Sequence, residues 1–419
     1  MRPKGWALVF ICCILLYLFF SSFHSVVNSK LSISTDSDII VQKANPYRRS
    51  NHPLLISALA HVLASYVANR TPDFDTPPLL VLYTCKHDSQ CGPLEERLAS
   101  IVNGYLFSAL YENGAAAFAV DMDTPVKFEW FFEPTPSYMS MHMGQADFYS
   151  SRADPATIKT VDSISASELS NVNFADNFRE NNVRILRYSH LDSWKYMQQN
   201  PSLQRHMDQY RLGDLSVSEG FWLASRLLFH KPSGWLSNHL IPYRDLMGGT
   251  LYADPLGRFE SPVLDRWMRI GIHVTDSTSA RCLASRAASV CSRAQVMGKK
   301  CHVFLSAPSS DMIETMRAAI GKHRQKDRPI VLHAVADGYD FAPPQHQELS
   351  LLESEEQHLK MAYARLYMDW IILSRMDYLL GSYGDEYLKA AAWAAQVQTD
   401  LVYPNDQDDE CRIESLQDW

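Results

Sequence analysis

Positive charge is in short supply. Lys and Arg number 39 against 47 Asp and Glu in 419 residues, a formal net charge of −8. Gripping a phosphate backbone needs clustered Lys and Arg, so nucleic acid is excluded as a general partner. The short signatures of common nucleotide and hydrolytic sites are missing too. No G-x-G-x-x-G, G-x-x-x-x-G-K, G-x-S-x-G or H-E-x-x-H occurs in the chain. Beyond residue 27 no run is long and apolar enough to span a bilayer, which excludes a multi-span membrane protein. With 46% hydrophobic and 21% charged residues, the chain is globular.

What is present begins at the N-terminus. MRPK precedes GWALVFICCILLYLFFSSFHSVV, an apolar stretch of about 20 residues, the length that crosses a bilayer core. Arg2 and Lys4 hold the short side in the cytosol and send the C-terminus outward. A cleaved signal peptide is the competing reading, but its apolar part would be long and no A-x-A-like site follows. The expectation is a single-pass type II protein, with residues 1–5 cytosolic and 6–27 the signal anchor. Six cysteines follow the anchor, and an oxidising lumen lets them pair. Cys85 and Cys91 bracket a tight turn and are the first candidates for a bridge. Asn69-Arg70-Thr71 is the usable glycosylation sequon, since proline spoils Asn200-Pro201-Ser202.

Residues 28–78 read as a polar stem and a leading helix at 54–67. Residues 79–121 predict strand, turn, helix and strand, the unit of a parallel sheet. Residues 122–262 look mostly helical and irregular, with one strand at 183–187 and helices near 217–229 and 235–247. From 263 to 419 the pattern alternates: strands at 269–274, 302–306, 329–333, 378–381 and 400–403. Helices are predicted at 281–297, 308–320, 353–375 and 386–396. That is a doubly wound α/β domain, whose ligands sit beyond the carboxyl ends of the strands. The chain thus divides into a first domain, 79–262, and a second, 263–419.

Candidate chemistry lies at those strand ends. His273, Thr275, Asp276 and Ser277 follow one strand; Ser382, Tyr383, Gly384 and Asp385 follow another and open a helix. In the first domain Glu95, Glu96 and Arg97 stand at the mouth of an apolar helix, in CGPLEERLASIV. Either they are a solvated first turn, where the helix dipole favours Glu, or they face a ligand. Asp73-Phe74-Asp75 and Asp121-Met122-Asp123 read better as turn residues than as metal ligands, and no metal site is expected.

A resemblance adds to these readings. CGPLEERLASIVNGYLFSALYENGAAAFAVDMD is similar to the opening block of the GT-B fucosyltransferases, with Gly92, Leu94, Arg97, Leu98 and Asp121 at its marked positions. IGIHVTDS resembles their H-x-R-x-x-D motif. DWIILSRMDYLLGSYGDEYLKAAAWA resembles their last one, D-x-x-x-L-S-x-x-D followed by (S/T)-(Y/F)-S-S. The resemblance spans 79–403 and implies two Rossmann-like domains facing a cleft. It also implies a Golgi membrane setting, a GDP-fucose-like donor bound by 263–419, a glycan or glycoprotein acceptor on the 79–262 side, and no cofactor or metal. Transfer would be inverting, with Glu95 or Glu96 as base and Arg97 positioning or neutralising substrate.

Three departures fall on donor contacts. The family's diphosphate arginine is Thr275, the acidic residues expected near the guanine are Ser306-Ala307-Pro308, and the phosphate-facing Ser-Ser is Gly384-Asp385. A binding or regulatory protein that kept the fold and lost the chemistry is therefore the alternative expectation.

Overall fold

The computed structural model describes residues 80–85, 92–110, 117–122, 126–133, 158–161, 166–171, 173, 183–186, 193–252, 266–323, 329–341, 356–403 and 411–416. The expected anchor, the stem with its leading helix, Asn69, Cys91, Asp123 and the acidic 405–410 stretch lie outside them. Among the described residues no helix is long and apolar enough to cross a membrane.

Two parallel sheets carry the chain. The first has strand order β2-β1-β4-β3. It is built from β1 (Leu80–Cys85), β2 (Ala117–Met122), β3 (Ile158–Val161) and β4 (Val183–Leu186). Between β1 and β2 runs α1 (Leu94–Leu110), buried almost all round. The strand β3 was not expected; it pairs with β4 over its whole length. Among the described residues this half continues with α2 (Ala166–Asn171), α3 (Ser193–Gln198), α4 (Pro201–Tyr210) and α5 (Val217–Leu228). The last begins with a capping box in which Ser216 and Glu219 satisfy each other's backbone N–H. The helix expected over 235–247 stops early, as α6 (Gly234–Leu240). Pro242 follows, and a 3-10 turn takes over at Ile241–Tyr243.

The second sheet has order β10-β9-β8-β5-β6-β7 and is parallel except for β10. Its strands are β5 (Trp267–His273), β6 (Lys300–Ser306), β7 (Ile330–Ala334), β8 (Tyr378–Ser382), β9 (Thr399–Val402) and β10 (Ile413–Ser415). The helices are α7 (Ala280–Val296), α8 (Ser310–Gly321), α9 (Glu356–Leu373) and α10 (Glu386–Ala395). Pro308 does not open α8 as expected; Ser309 does, its hydroxyl accepting from Met312 N–H. One sheet face packs on α7 and α8. There Cys282–Cys411 and Cys291–Cys301 are bridged, and Asp400, fully buried, accepts from Arg286, Tyr378 and Ser415. Cys85 is disulfide-bonded as well.

The other face joins the two halves. Helices α9 and α10 share one core with α1 and α5. Phe131 stacks on Tyr367 with ring centroids 3.9 Å apart, Phe221 meets Trp393 edge-on, and Gln396 donates to the Ser218 carbonyl. On this face, near the amino ends of β5 and β6, His302 lies stacked on Trp267 and bonded to His333 at 3.0 Å.

Burial, with His333, Lys300 and Arg269 adding repulsion, pushes His302 down to about 4. A base depressed in the folded state is stabilising to the fold only while neutral. Its contribution is therefore full above the unfolded value near 6.5 and lost as pH falls towards 4. His302→Phe keeps the stack and removes the titration. Unfolding by urea at pH 4.5 and 7 should show the variant losing about 2 kcal/mol less stability than the wild type over that interval. Equal losses would remove His302 from the account.

Candidate active site at the strand ends

In the second sheet β5 leads outward to β6 and β7, and the chain then crosses back to β8 and β9. The crevice between the carboxyl ends of β5 and β8 is thus the topological switch point, where open α/β sheets take their ligands. His273 and Gly381 are partners in register there. A Cβ on Gly381 would lie 2.2 Å from Leu388 Cδ2, so glycine is what lets α10 seat this close to the sheet.

That seating produces a dyad. Asp385 caps α10, its Oδ1 accepting from Leu388 N–H at 2.9 Å. Its other oxygen, Oδ2, lies 2.5 Å from His273 Nδ1. Burial alone would lower the imidazole's proton affinity. The charge and hydrogen bond of Asp385, helped by Asp369 and Glu95, outweigh it and raise the pKa. The Tyr387 ring packs beside it, 4.8 Å between centroids, with its hydroxyl donating to the Leu366 carbonyl.

A second network closes the start of α7. Asp276 accepts from Ser279 N–H at 2.9 Å, from the Ser279 and Ser382 hydroxyls at 3.0 and 3.1 Å, and from Thr278. Burial would raise this carboxyl, but those hydrogen bonds prevail and hold it below the ordinary range. Thr275 is exposed just past β5, and Tyr383 is exposed and stacked on Tyr403.

From the first half, the charge of Glu95 acts on the same dyad. Glu95 is half-buried at the start of α1, and burial raises its pKa; Asp385 and Glu96 push the same way, while His273 opposes them. Its neighbours in the triplet do other work. Glu96 lies against Gly92, where a Cβ would meet its Oε2 at 2.0 Å, and Gly92 has φ +72°. Arg97 is buried and turned into the preceding turn, with Nε donating to the Gly92 carbonyl at 2.6 Å and NH1 3.6 Å from Cys85 Sγ.

One further carboxyl was not singled out from the sequence. Asp369, on α9, accepts from the Ser306 hydroxyl at 2.7 Å, and its Oδ1 is buried without a hydrogen-bond partner. Burial pushes it up to about 6 against the pull of Ser306, Arg365 and His273. The signal was present, since Asp369 opens the DWIILSRMD block. The other aspartate of that block, Asp377, is tied to Arg269 by two hydrogen bonds at 2.6 and 2.9 Å, far from solvent.

No protein-family profile matches the chain, and no curated protein matches it in sequence. Solved structures do match. Arabidopsis thaliana FUT1 with GDP bound superposes with a TM-score of 0.52 at 13% identity, over 86% of this chain and 81% of that one. The fold is that of the GT-B fucosyltransferases. The fucosyltransferase NodZ from Bradyrhizobium also matches, with TM-score 0.42 and 13% identity over 81% and 99% of the two chains. POFUT1 in complex with GDP does so at 0.37 and 10%, over 76% and 95%.

Proposed function

We propose that the chain is an inverting glycosyltransferase that moves fucose from GDP-fucose, without a metal, onto a glycan or glycoprotein hydroxyl. We place it as a type II protein of the Golgi membrane, with the site in the lumen. The observation that carries the reading is electrostatic. A half-buried carboxylate from the first half, Glu95, interacts through its charge with the His273–Asp385 dyad at the strand ends of the second. Inverting transfer needs a base on one side of the reacting carbon and a stabilised leaving group on the other. The two halves supply one each.

In this reading Glu95 takes the proton of the acceptor hydroxyl. The hydroxyl oxygen bonds to the anomeric carbon, the bond to the diphosphate breaks, and its electron pair leaves with the diphosphate. A raised pKa suits a base working near neutral pH. His273, Thr275 and Ser382 are the groups that meet the diphosphate, and Tyr383 borders it.

A specific feature favours the second reading, a fold that binds without transferring. Asp276 and Asp385 place carboxylates at the very helix starts where a diphosphate would be received. Calorimetric titration of the purified full-length protein with GDP-fucose separates the two, with an oligosaccharide library to report transfer. The transferase reading expects micromolar binding and sugar incorporation. Binding without incorporation selects the second reading, and absence of binding at every pH tried removes the donor assignment.

A further inference from the structure

We propose that Asp385 keeps His273 protonated, and that this imidazolium is the charge that receives the diphosphate of a nucleotide sugar. Donor binding is then gated by the protonation of one histidine. The proposal rests on the nucleotide reading of the β5–β8 crevice and adds a role that reading does not contain: Asp385 acts as the positioning residue that sets its neighbour's charge.

The geometry leaves little freedom. Both oxygens of Asp385 are committed, Oδ1 to the Leu388 N–H that starts α10 and Oδ2 to His273 Nδ1. The carboxylate is buried, and the imidazole side chain is 13% exposed. With Nδ1 spent on Asp385, Nε2 is the nitrogen left for a ligand, and protonation gives it the hydrogen to donate. The titratable groups acting on His273 are Asp385, Asp369 and Glu95, with Tyr387 against its ring. All three carboxylates favour the charged imidazole. A carboxylate aimed at the donor's own phosphates would repel them; Asp385 is instead turned onto His273 and spends its charge there. A hydrogen bond from a charged donor is shorter and about twice as strong as a neutral one.

The test uses purified full-length protein and GDP-fucose, whose diphosphate diester keeps a fixed charge between pH 5.5 and 8. Asp385→Asn removes the charge yet keeps the helix cap, because Asn and Asp are equivalent at that position. The His273 ring resonance in NMR should titrate with a midpoint above 6.5 in the wild type. In Asp385→Asn the midpoint should be about one pH unit lower or more. GDP-fucose affinity in the wild type should fall about tenfold between pH 5.5 and 8, with a much flatter and weaker profile in the variant. Adding Thr275→Arg to Asp385→Asn supplies a fixed guanidinium, and should restore affinity with no pH dependence.

A His273 midpoint unmoved by Asp385→Asn, or wild-type affinity that is flat across this range, overturns the proposal and leaves the nucleotide reading intact. Failure of GDP-fucose to bind at any pH, with His273 titrating as expected, overturns the nucleotide reading and this proposal with it.

Discussion

Replacing Glu95 by Gln is expected to lower sugar transfer about 100- to 10,000-fold while leaving GDP-fucose affinity nearly unchanged. Gln keeps the shape and the hydrogen-bonding capacity of the side chain but cannot take a proton. A base acts only after the acceptor is in place, so its loss falls on turnover rather than on donor binding. The pH profile gives a second readout. Glu95 works as carboxylate, and burial has raised its pKa from the ordinary 4.5, so the acid limb of the wild-type profile should lie above that value. Glu96→Gln is the control: that side chain lies against Gly92, and its loss should change turnover little. Transfer by Glu95→Gln within threefold of wild type would take the base away from α1 and hand it to Asp369 or to the dyad.

The second large effect concerns the foundation of the site. Asp377→Ala should destabilise the fold by about 3–5 kcal/mol, measured as a lower urea midpoint with an unchanged slope. Arg269 and Asp377 are both buried, and their two side-chain hydrogen bonds join β5 to the segment that enters β8. Asp377 also accepts from the Arg269 backbone N–H, and Arg269 NH1 reaches the Leu246 carbonyl. Removing the acid strands a guanidinium where water cannot follow, which is why the loss exceeds the worth of the pair itself. Replacing both partners by apolar residues, Arg269→Met with Asp377→Leu, should recover most of the stability. A single variant as stable as the wild type would show that water reaches Arg269 after all.

Much of the second sheet could be read from the chain because its inner strands β5, β6, β8 and β9 are buried on both faces. Ile270-Gly271-Ile272 and Val303-Phe304-Leu305 are continuous apolar runs, and α7 and α10 between such runs keep helical spacing. The exceptions have local causes. Ile158–Val161 is four residues long and owes its strand state to β4 beside it. Ile413–Ser415 is held by β9 and by the bridge at Cys411, neither visible in its own composition. The site divides in the same way. His273, Ser382 and Asp276 stood out because strand ends are where ligands sit. The contact between His273 and Asp385, 112 residues apart, is tertiary, and the inward turn of Arg97 depends on how one glycine bends.

The double duty of Asp385 bears on how such a site can change over generations. As the N-cap of α10 it holds a position where Ser, Asn and Asp serve the helix about equally well. Substitution among them leaves the cap itself almost unchanged, so its cost to the fold falls on the bond to His273. The same substitution removes the charge that most favours the protonated form of the neighbouring histidine. A change at this one position can therefore alter the charge presented at the strand ends while the helix keeps its start.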